Sequence, residues 1–389
     1  MPVYLRDILP VDLLMKHIED GVVRKQVHPQ YPDLFILNYS EHAQFGKIWD
    51  NVTNNCRGLI VHAPTGLPDA VVVARPFKKF HNLNTTYIPE TMEENLPKDE
   101  VPLVTTKLDG SMGVLYVWDN LLWMATRGSF ASEQARWATG WLRAHFERLG
   151  QYRPYHPWLP DTTPVFEVIY EENRIVVAYD FEGCVLLGII NHEDGREFRR
   201  DSVERFGAMY DFKVVPKFDK SLSECVSENT LNEEGYVLTY SNGTKVKVKF
   251  LDYCRLHKVL TGMNPRGIWE LLAKNQTETV ELILKDEKMP EQFKAWFSGW
   301  VEHLRTKYQD IERRAQAVFA TRPFTGKWAS EPSPEGLKLW RKTQALHFQK
   351  TPDLCSVLFA MLDEKPYAEI IWDRLKPRAD ERTFRKDGE

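Results

Sequence analysis

The sequence predicts an α+β protein: antiparallel sheets with flanking helices over residues 1–252, then an all-α domain over 253–389. Three observations predict it. Short runs rich in Val, Ile, Tyr and Phe, bounded by Gly, Pro and Asn, recur through the first 250 residues. Asn242-Gly243 lies between two such runs, the strongest short-range hairpin signal. Beyond Tyr253 the period changes: Trp296, Trp300, Leu304, Tyr308, Ile311 and Ala315 recur at the three- and four-residue spacings of one helix face.

Element by element, 10–20 reads as a helix stopped by Gly21. Residues 22–27, 34–39, 57–62 and 70–75 read as strands, the last two as a hairpin across Pro64-Thr-Gly66. Arg75-Pro-Phe-Lys-Lys-Phe-His-Asn82 is a basic and aromatic loop. Residues 112–118 and 121–126 form a second hairpin, turned by Asp119-Asn120. A helix over about 132–149 puts Trp137, Trp141, Leu142 and His145 on one stripe, where His145 reads as a core residue before it reads as a catalyst. Strands over 165–170, 174–179 and 185–190 follow. Asp201-Ser-Val-Glu204 and Ser221-Leu-Ser-Glu224 are capping-box patterns that open short helices. Ser333-Pro334, Thr351-Pro352 and Pro366 announce helices of the second domain, and the charge-rich last dozen residues are expected to fray.

Composition narrows the function classes. The net charge of −4 excludes a histone-like polycation, but the charge is uneven. Through Phe250 there are 27 Lys and Arg against 34 Asp and Glu, a net of −7; the remainder has 24 against 21, a net of +3. Within 313–350, Arg313, Arg314, Arg322, Lys327, Lys338, Arg341, Lys342 and Lys350 face only Glu331 and Glu335. A polyanion would be met by local patches of this kind. The five cysteines are dispersed, with no Cys-x-x-Cys pair, which points to reduced thiols in a cytoplasmic setting. No apolar run reaches membrane-spanning length, so no membrane partner is expected. A monomer is favoured, although no residue pattern fixes the oligomeric state.

The chemistry is concentrated around Val104-Thr-Thr-Lys107-Leu-Asp109-Gly110-Ser111. At a strand period of two, Lys107 and Asp109 point to one side and Leu108 to the other. A lysine beside a carboxylate at a sheet rim can attack phosphorus once burial or neighbouring cations lower its pKa. The plain alternative is a solvated lysine at a strand end before a glycine turn. A second constellation spans 234–250. If Asn242 and Gly243 are the two loop residues, Ser241 pairs with Thr244, Leu238 with Lys247 and Tyr236 with Lys249. One face then carries Glu234, Tyr236, Leu238, Tyr240, Lys245, Lys247 and Lys249, the other Val237, Thr239, Val246, Val248 and Phe250. Lys245, near the turn, reads as an edge lysine facing water; for Lys247 and Lys249 the edge reading and a catalytic one stand level. Glu167 sits between β-branched neighbours on its own strand face, where a charge must accept hydrogen bonds, from ribose hydroxyls or from a buried arginine.

In order, the motifs are Arg57-Gly58, Lys107-x-Asp-Gly-Ser111, Arg127-Gly-Ser129, Phe166-Glu167, Glu234-Gly235 and Lys247-x-Lys249. Together they resemble the covalent nucleotidyltransferase superfamily, and most closely the bacteriophage-type RNA ligase 1 family of ATP-dependent tRNA-repair ligases. Ala74-Arg-Pro-Phe-Lys-Lys-Phe-His-Asn82, Thr126-Arg-Gly-Ser-Phe-Ala-Ser-Glu-Gln134, Phe166-Glu-Val-Ile-Tyr-Glu-Glu-Asn-Arg-Ile-Val-Val177 and Glu197-Phe-Arg-Arg-Asp201 narrow it that far. The resemblance covers about residues 35–255. One departure is Leu83-Asn-Thr-Thr86, which lacks the acidic residue of the family's pattern after Asn82.

The resemblance implies that 1–252 is an adenylyltransferase domain and that 253–389 contributes to the choice of RNA. Lys107 would attack the α-phosphorus of ATP to give lysyl–AMP. AMP would pass to a 5′-phosphate RNA end, and a 3′-hydroxyl would displace it. Each step develops charge on one phosphate, so fixed cations are the main catalytic need. It further implies Lys247 and Lys249 on that phosphate, Glu234 on Mg²⁺, Glu167 on the ribose, and Arg57, Lys79 and Arg127 near the phosphates or the RNA end. Asp109 would orient Lys107 or assist sealing. The implied partner is single-stranded or nicked RNA, with tRNA as one form. DNA ligases and capping enzymes share the lysine chemistry but follow the last Lys-x-Lys with a β-rich barrel, whereas helices are expected here. A non-catalytic RNA-binding module is the remaining alternative, and the full set of polar pocket positions argues against it.

Overall fold

A computed structural model of the chain describes residues 2–150, 161–286, 289–323 and 333–378; Lys327, Glu331 and segment 379–389 lie outside them. The chain divides into two compact units, the first ending at His257 and the second beginning at Lys258. The α+β architecture is the expected one.

The strands, all in the first unit, are β1 (Val23–Val27), β2 (Leu34–Tyr39), β3 (Arg57–His62), β4 (Val71–Ala74), β5 (His81–Asn82), β6 (Leu103–Thr106), β7 (Ser111–Trp118), β8 (Leu121–Ala125), β9 (Thr162–Ile169), β10 (Gly183–Asn191), β11 (Lys217–Phe218), β12 (Gly235–Thr239) and β13 (Lys245–Lys249). They form three sheets, ordered β1-β2-β3-β4, β10-β9-β7-β8 and β11-β6-β12-β13-β5. Neighbours pair antiparallel except β5, which lies parallel to β13. Asp119 and Asn120 both have positive φ (51° and 58°), the conformation a two-residue β7–β8 turn demands.

Packing follows the alternation of side chains. Leu37 and Leu59 of the first sheet pack on Leu5 and Leu14 of the N-terminal helices, while Leu34, Ile36 and Ile60 on the other face meet Val114, Tyr116 and Ala125 of the second sheet. The opposite face of the second sheet carries helices Glu133–Arg148 and Arg200–Met209, with Leu142, Phe166, Leu186 and Phe206 in one cluster. Each such buried side chain contributes about 1.5–3 kcal/mol, so the second sheet is a stiff platform. His145 is a core residue, stacked between Trp141 and Phe212 with Nε2 2.7 Å from the Tyr210 carbonyl.

Four local expectations need correction. The Asn242-Gly243 hairpin has a three-residue loop: the Tyr240 and Gly243 amides donate to the Thr244 and Tyr240 carbonyls, and Gly243 has φ +86°. The register moves by one, to Val237 opposite Lys247 and Gly235 opposite Lys249. Because the strand period is two, that slip exchanges the faces of β12: Tyr236, Leu238 and Tyr240 turn into the core beside Val246, Val248 and Phe250. Segment 174–179 is not a strand, because the Val176 and Val177 amides donate to the Asp109 carboxylate and the Ala178 amide to Asn232 Oδ1. Helix Arg200–Met209 starts before Asp201 and has no side-chain cap; Glu204 instead binds Arg200 and Lys217. Ser221 does form the expected capping box with Glu224.

The described second unit is helical: Pro265–Ala273, Thr277–Lys285, Glu291–Ala320, Pro334–Phe348, Cys355–Leu362 and Ala368–Arg374. In the long helix the buried stripe begins at Phe293, Phe297 and Val301 and not at Trp296 and Trp300, joining the expected face at Leu304 and Ala315. Three cations of the basic stretch are paired: Arg313 with Asp310, Arg314 with Asp353 and Arg341 with Asp363. No helix among the described residues is long and apolar enough to cross a membrane, and none of the five cysteines is in a disulfide.

Candidate active site

β6 ends at Thr106, so Lys107 leaves the strand alternation at its rim, its amide donating to the Gly235 carbonyl at 2.8 Å. Its Nζ lies 2.6 Å from Glu234 Oε2, and Lys249 Nζ lies 2.8 Å from Glu234 Oε1. Glu234 reaches these ammoniums because Gly235 has φ +138°, which turns residue 234 out of the β12 alternation; a Cβ there would sit 2.0 Å from the Val248 carbonyl oxygen. Glu234 is 3% exposed. Burial pushes its carboxyl up, but Lys107 and Lys249 outweigh burial and hold it below the ordinary value.

Asp109 forms no ion pair with Lys107 among the described residues. Its buried carboxylate accepts from the Val176 and Val177 amides at 2.8 and 2.9 Å and from the Tyr253 hydroxyl at 2.8 Å. β6 ends at Thr106, so the turn and not strand alternation places Lys107 and Asp109. Burial and then repulsion from Glu234 push the Asp109 carboxyl up, against these hydrogen bonds. Asp109 therefore anchors segment 176–177 and Tyr253 behind the lysine. The next residue, Gly110, packs so closely on β9 that a Cβ would lie 2.5 Å from the Val168 carbonyl oxygen and 3.2 Å from Glu167 Cγ.

Glu167 projects into the same cleft. Burial raises its carboxyl to about 8, with Lys107 opposing and Glu234 and Asp109 adding to the rise. Arg57, itself desolvated by burial, also opposes the rise, though no ion pair joins it to Glu167 among the described residues.

Four cations line the other side. Lys247 lies 4.6 Å from the Phe80 ring, and burial, reinforced by Arg57, Lys107 and Lys79, lowers its ammonium well below the ordinary value. Lys79 Nζ and Arg127 Nη1 donate to the Tyr39 hydroxyl at 3.2 and 3.1 Å. Arg57 Nη1 and Arg127 Nε are buried without a hydrogen-bond partner. Arg57, Lys79, Arg127 and Lys247 form no ion pair with a carboxylate among the described residues. Burial raises the Tyr39 hydroxyl, but Arg127, Lys79 and Arg57 outweigh it and bring it below its usual value.

Arg57, Lys107, Glu167 and Lys247 line a cleft between β6, β12 and β13 on one side and β7, β9 and β10 on the other. Leu108, Val203, Val215 and Val237 supply its apolar wall. Lys245 also lines it, contrary to the edge-lysine expectation. Its side chain is 15% exposed, is paired with Glu197 and lies 4.0 Å from the Phe77 ring. The register slip matters here too, because it puts Val237 and Thr239 on the cleft face of β12 beside Lys245 and Lys247.

The family model described as RNA ligase matches residues 55–253, just over half of the chain. The chain belongs to the RNA ligase family. A Thermovibrio ammonificans protein provisionally named an RNA ligase is 29% identical over 234 residues, 58% of this chain and 59% of that protein. The chain thus spans under two thirds of that relative. The RNA ligase of Rhodothermus phage RM378 is 21% identical over 340 residues, 72% of this chain and 76% of that one. A solved Naegleria gruberi RNA ligase variant is 19% identical, with 46% of this chain and 57% of that chain covered and a TM-score of 0.37.

In this RNA ligase family member, sequence reasoning missed Tyr39, Tyr253 and Glu197. Tyr39 closes β2 between Asn38 and Ser40, and Tyr253 lies in the first turn of helix Leu251–Gly262, so neither belongs to one of the charged motifs. Glu197 was within reach, because it stands in one of the longer matching segments, but nothing local pairs it with Lys245 48 residues away.

Proposed function

We propose that this chain is an ATP-dependent RNA ligase that joins 5′-phosphate and 3′-hydroxyl RNA ends through a lysyl–AMP intermediate. One observation carries the reading: Lys107 is held on Glu234 beside a cluster in which Arg57, Lys79, Arg127 and Lys247 form no ion pair with a carboxylate among the described residues. Buried guanidinium N–H groups without partners fit a polyphosphate, which would supply the missing acceptors.

In this reading the neutral Lys107 amine attacks the α-phosphorus, the new P–N bond forms and the bond to pyrophosphate breaks. Lys247 and Lys249 hold the oxygens where charge builds. The 5′-phosphate oxygen of RNA then displaces Lys107 from AMP, and the 3′-hydroxyl displaces AMP to form the phosphodiester. Glu167 faces the ribose hydroxyls. Asp109 positions Lys107 through the segment it anchors. Among the described residues no three metal-ligating side chains cluster, but Mg²⁺ needs only one or two carboxylates beside phosphate oxygens. Glu234 is the side chain that would hold it, and the ion would neutralise phosphate charge.

Among the described residues after Lys249 the elements are helices and no β-rich barrel, which favours RNA sealing over DNA sealing or capping. A nicked tRNA is the proposed natural substrate, with Lys338, Lys342 and Lys350 among the exposed cations of the second unit. The test is to incubate the chain with labelled ATP or GTP, denature it and look for retained label. Label from ATP that disappears in Lys107→Ala, and circles from 5′-phosphorylated single-stranded RNA, are expected. An adduct that survives Lys107→Ala would refute the nucleophile.

A further inference from the structure

A line of aromatic rings leads outward from the cation cluster. The Tyr39 and Trp49 rings are 5.1 Å apart, Trp49 and His81 5.1 Å, and His81 and Tyr87 6.4 Å, each pair near edge-to-face. Cations alternate with them. Lys79 lies 4.9 Å from the Tyr39 ring and 5.0 Å from the Trp49 ring, and Lys47 lies 4.5 Å from the Tyr87 ring. Core packing does not account for the outer end, since Tyr87 is 44% exposed and Lys47 is exposed. Trp49 Nε1 is buried with no acceptor among the described residues.

The line is fixed to the cleft. β5 carries His81 alongside β13, with Asn82 opposite Lys247 and the Leu83 amide donating to the Lys247 carbonyl at 2.9 Å. The loop beyond is braced from within: the Asn84 amide donates to the Thr91 carbonyl and the Thr85 hydroxyl to the Asn82 carbonyl at 2.6 Å. Burial, with Lys79 and Lys247, lowers His81 to about 4, so at neutral pH it presents an uncharged aromatic ring.

We propose that Trp49, His81 and Tyr87, with Lys47, form a stacking shelf for the first bases of the RNA strand whose 5′-phosphate enters the Arg57, Lys79 and Arg127 cluster. Alternating rings and cations suit a single strand because every base has a π-face and every linkage a negative charge. The proposal rests on the ligase reading for its choice of strand, but its test reads RNA binding directly.

The experiment measures Kd for a labelled, 5′-phosphorylated single-stranded RNA by anisotropy at one salt concentration, with the full chain and Tyr87→Ala, Tyr87→Phe and Lys47→Gln. Loss of one stacked base should weaken binding by Tyr87→Ala about tenfold, with Tyr87→Phe close to wild type and Lys47→Gln intermediate. An RNA with abasic residues at its first three positions should bind wild type and Tyr87→Ala alike. Equal affinity of wild type and Tyr87→Ala for the intact RNA would overturn the shelf. So would a Tyr87→Ala defect that persists in full on the abasic RNA. If wild type shows the stacking signature but forms no lysyl–AMP, the shelf stands and the ligase reading falls.

Discussion

Glu167→Gln separates the electrostatics of the cleft from its chemistry. Burial holds the Glu167 carboxyl near 8 instead of the ordinary 4.5. Below pH 4.5 the folded and unfolded chains both carry this proton, and the group contributes nothing to the pH dependence. Between 4.5 and 8 the unfolded chain releases the proton while the folded chain keeps it, so stability falls as pH rises. Above 8 both states are ionised and the cost is constant. At about 1.4 kcal/mol per pH unit the full interval would amount to about 5 kcal/mol. Glu167 lines a cleft that water enters, so screening reduces the expected figure to about 2–3 kcal/mol. Glutamine keeps the shape and cannot ionise. In urea unfolding of wild type and Glu167→Gln at pH 5, 7 and 9, the variant should gain about 2–3 kcal/mol relative to wild type across the series. Other groups titrate alike in both proteins and cancel in the difference. Parallel stability curves would refute a Glu167 carboxyl raised by burial.

Gly235→Ala should cost about 2–4 kcal/mol, seen as a lowered Tm, because its Cβ meets the Val248 carbonyl and its φ is one that L-residues avoid. Retention of full stability would mean that the turn at Glu234 is drawn wrongly. Lys247→Met removes a buried cation that Arg57, Lys107 and Lys79 repel, so stability should hold or rise by about 1 kcal/mol. Its yield of covalent AMP should drop at least about a hundredfold, and near-normal labelling would remove Lys247 from the reaction. Asp109→Ala leaves two buried amides and a hydroxyl without their acceptor and should cost about 1–3 kcal/mol. Hydrogen exchange at Val176 and Val177 should quicken in that variant, and unchanged protection there would contradict the anchor.

The fold class was legible because it rests on local signals. Alternation marked β2, β3, β7, β8 and β13 to within a residue or two, and helical spacing marked Glu133–Arg148 and Glu291–Ala320. What failed depended on atoms distant in sequence. Segment 174–179 has the composition of a strand, but its amides are drawn away by Asp109, some 67 residues earlier. The Asn242-Gly243 loop could be two or three residues long, and only the closed ladder selects three and so decides which face of β12 meets the cleft. Lys107, Lys247 and Lys249 could be read as candidates from their motifs, whereas the partner of Lys107 was misassigned. The nearer carboxylate in sequence, Asp109, is taken up by the Val176 and Val177 amides and Tyr253, while a positive-φ glycine delivers Glu234 from a distant part of the chain.

The polar cleft is arranged against its own stability. Glu234 joins Lys107 and Lys249 through both oxygens, but Arg57, Lys79, Arg127 and Lys247 stand together with only the Tyr39 hydroxyl and aromatic faces between them. Partly desolvated like charges raise the free energy of the empty fold, and each buried N–H without an acceptor adds to it. The stacked core beneath, from Phe166 to Phe212, carries that load, reaching the cleft through Val203 and Phe198. A polyphosphate entering the cleft would relieve repulsion and orphaned donors together, so the folded chain should bind it more tightly than surface lysines alone could. Saturating pyrophosphate should therefore raise Tm by several degrees in wild type, and Lys79→Met, with one repulsive centre fewer, should start higher and gain less. An equal gain in both proteins would show that Lys79 lies outside the phosphate site, and would return the cation cluster to a purely structural role.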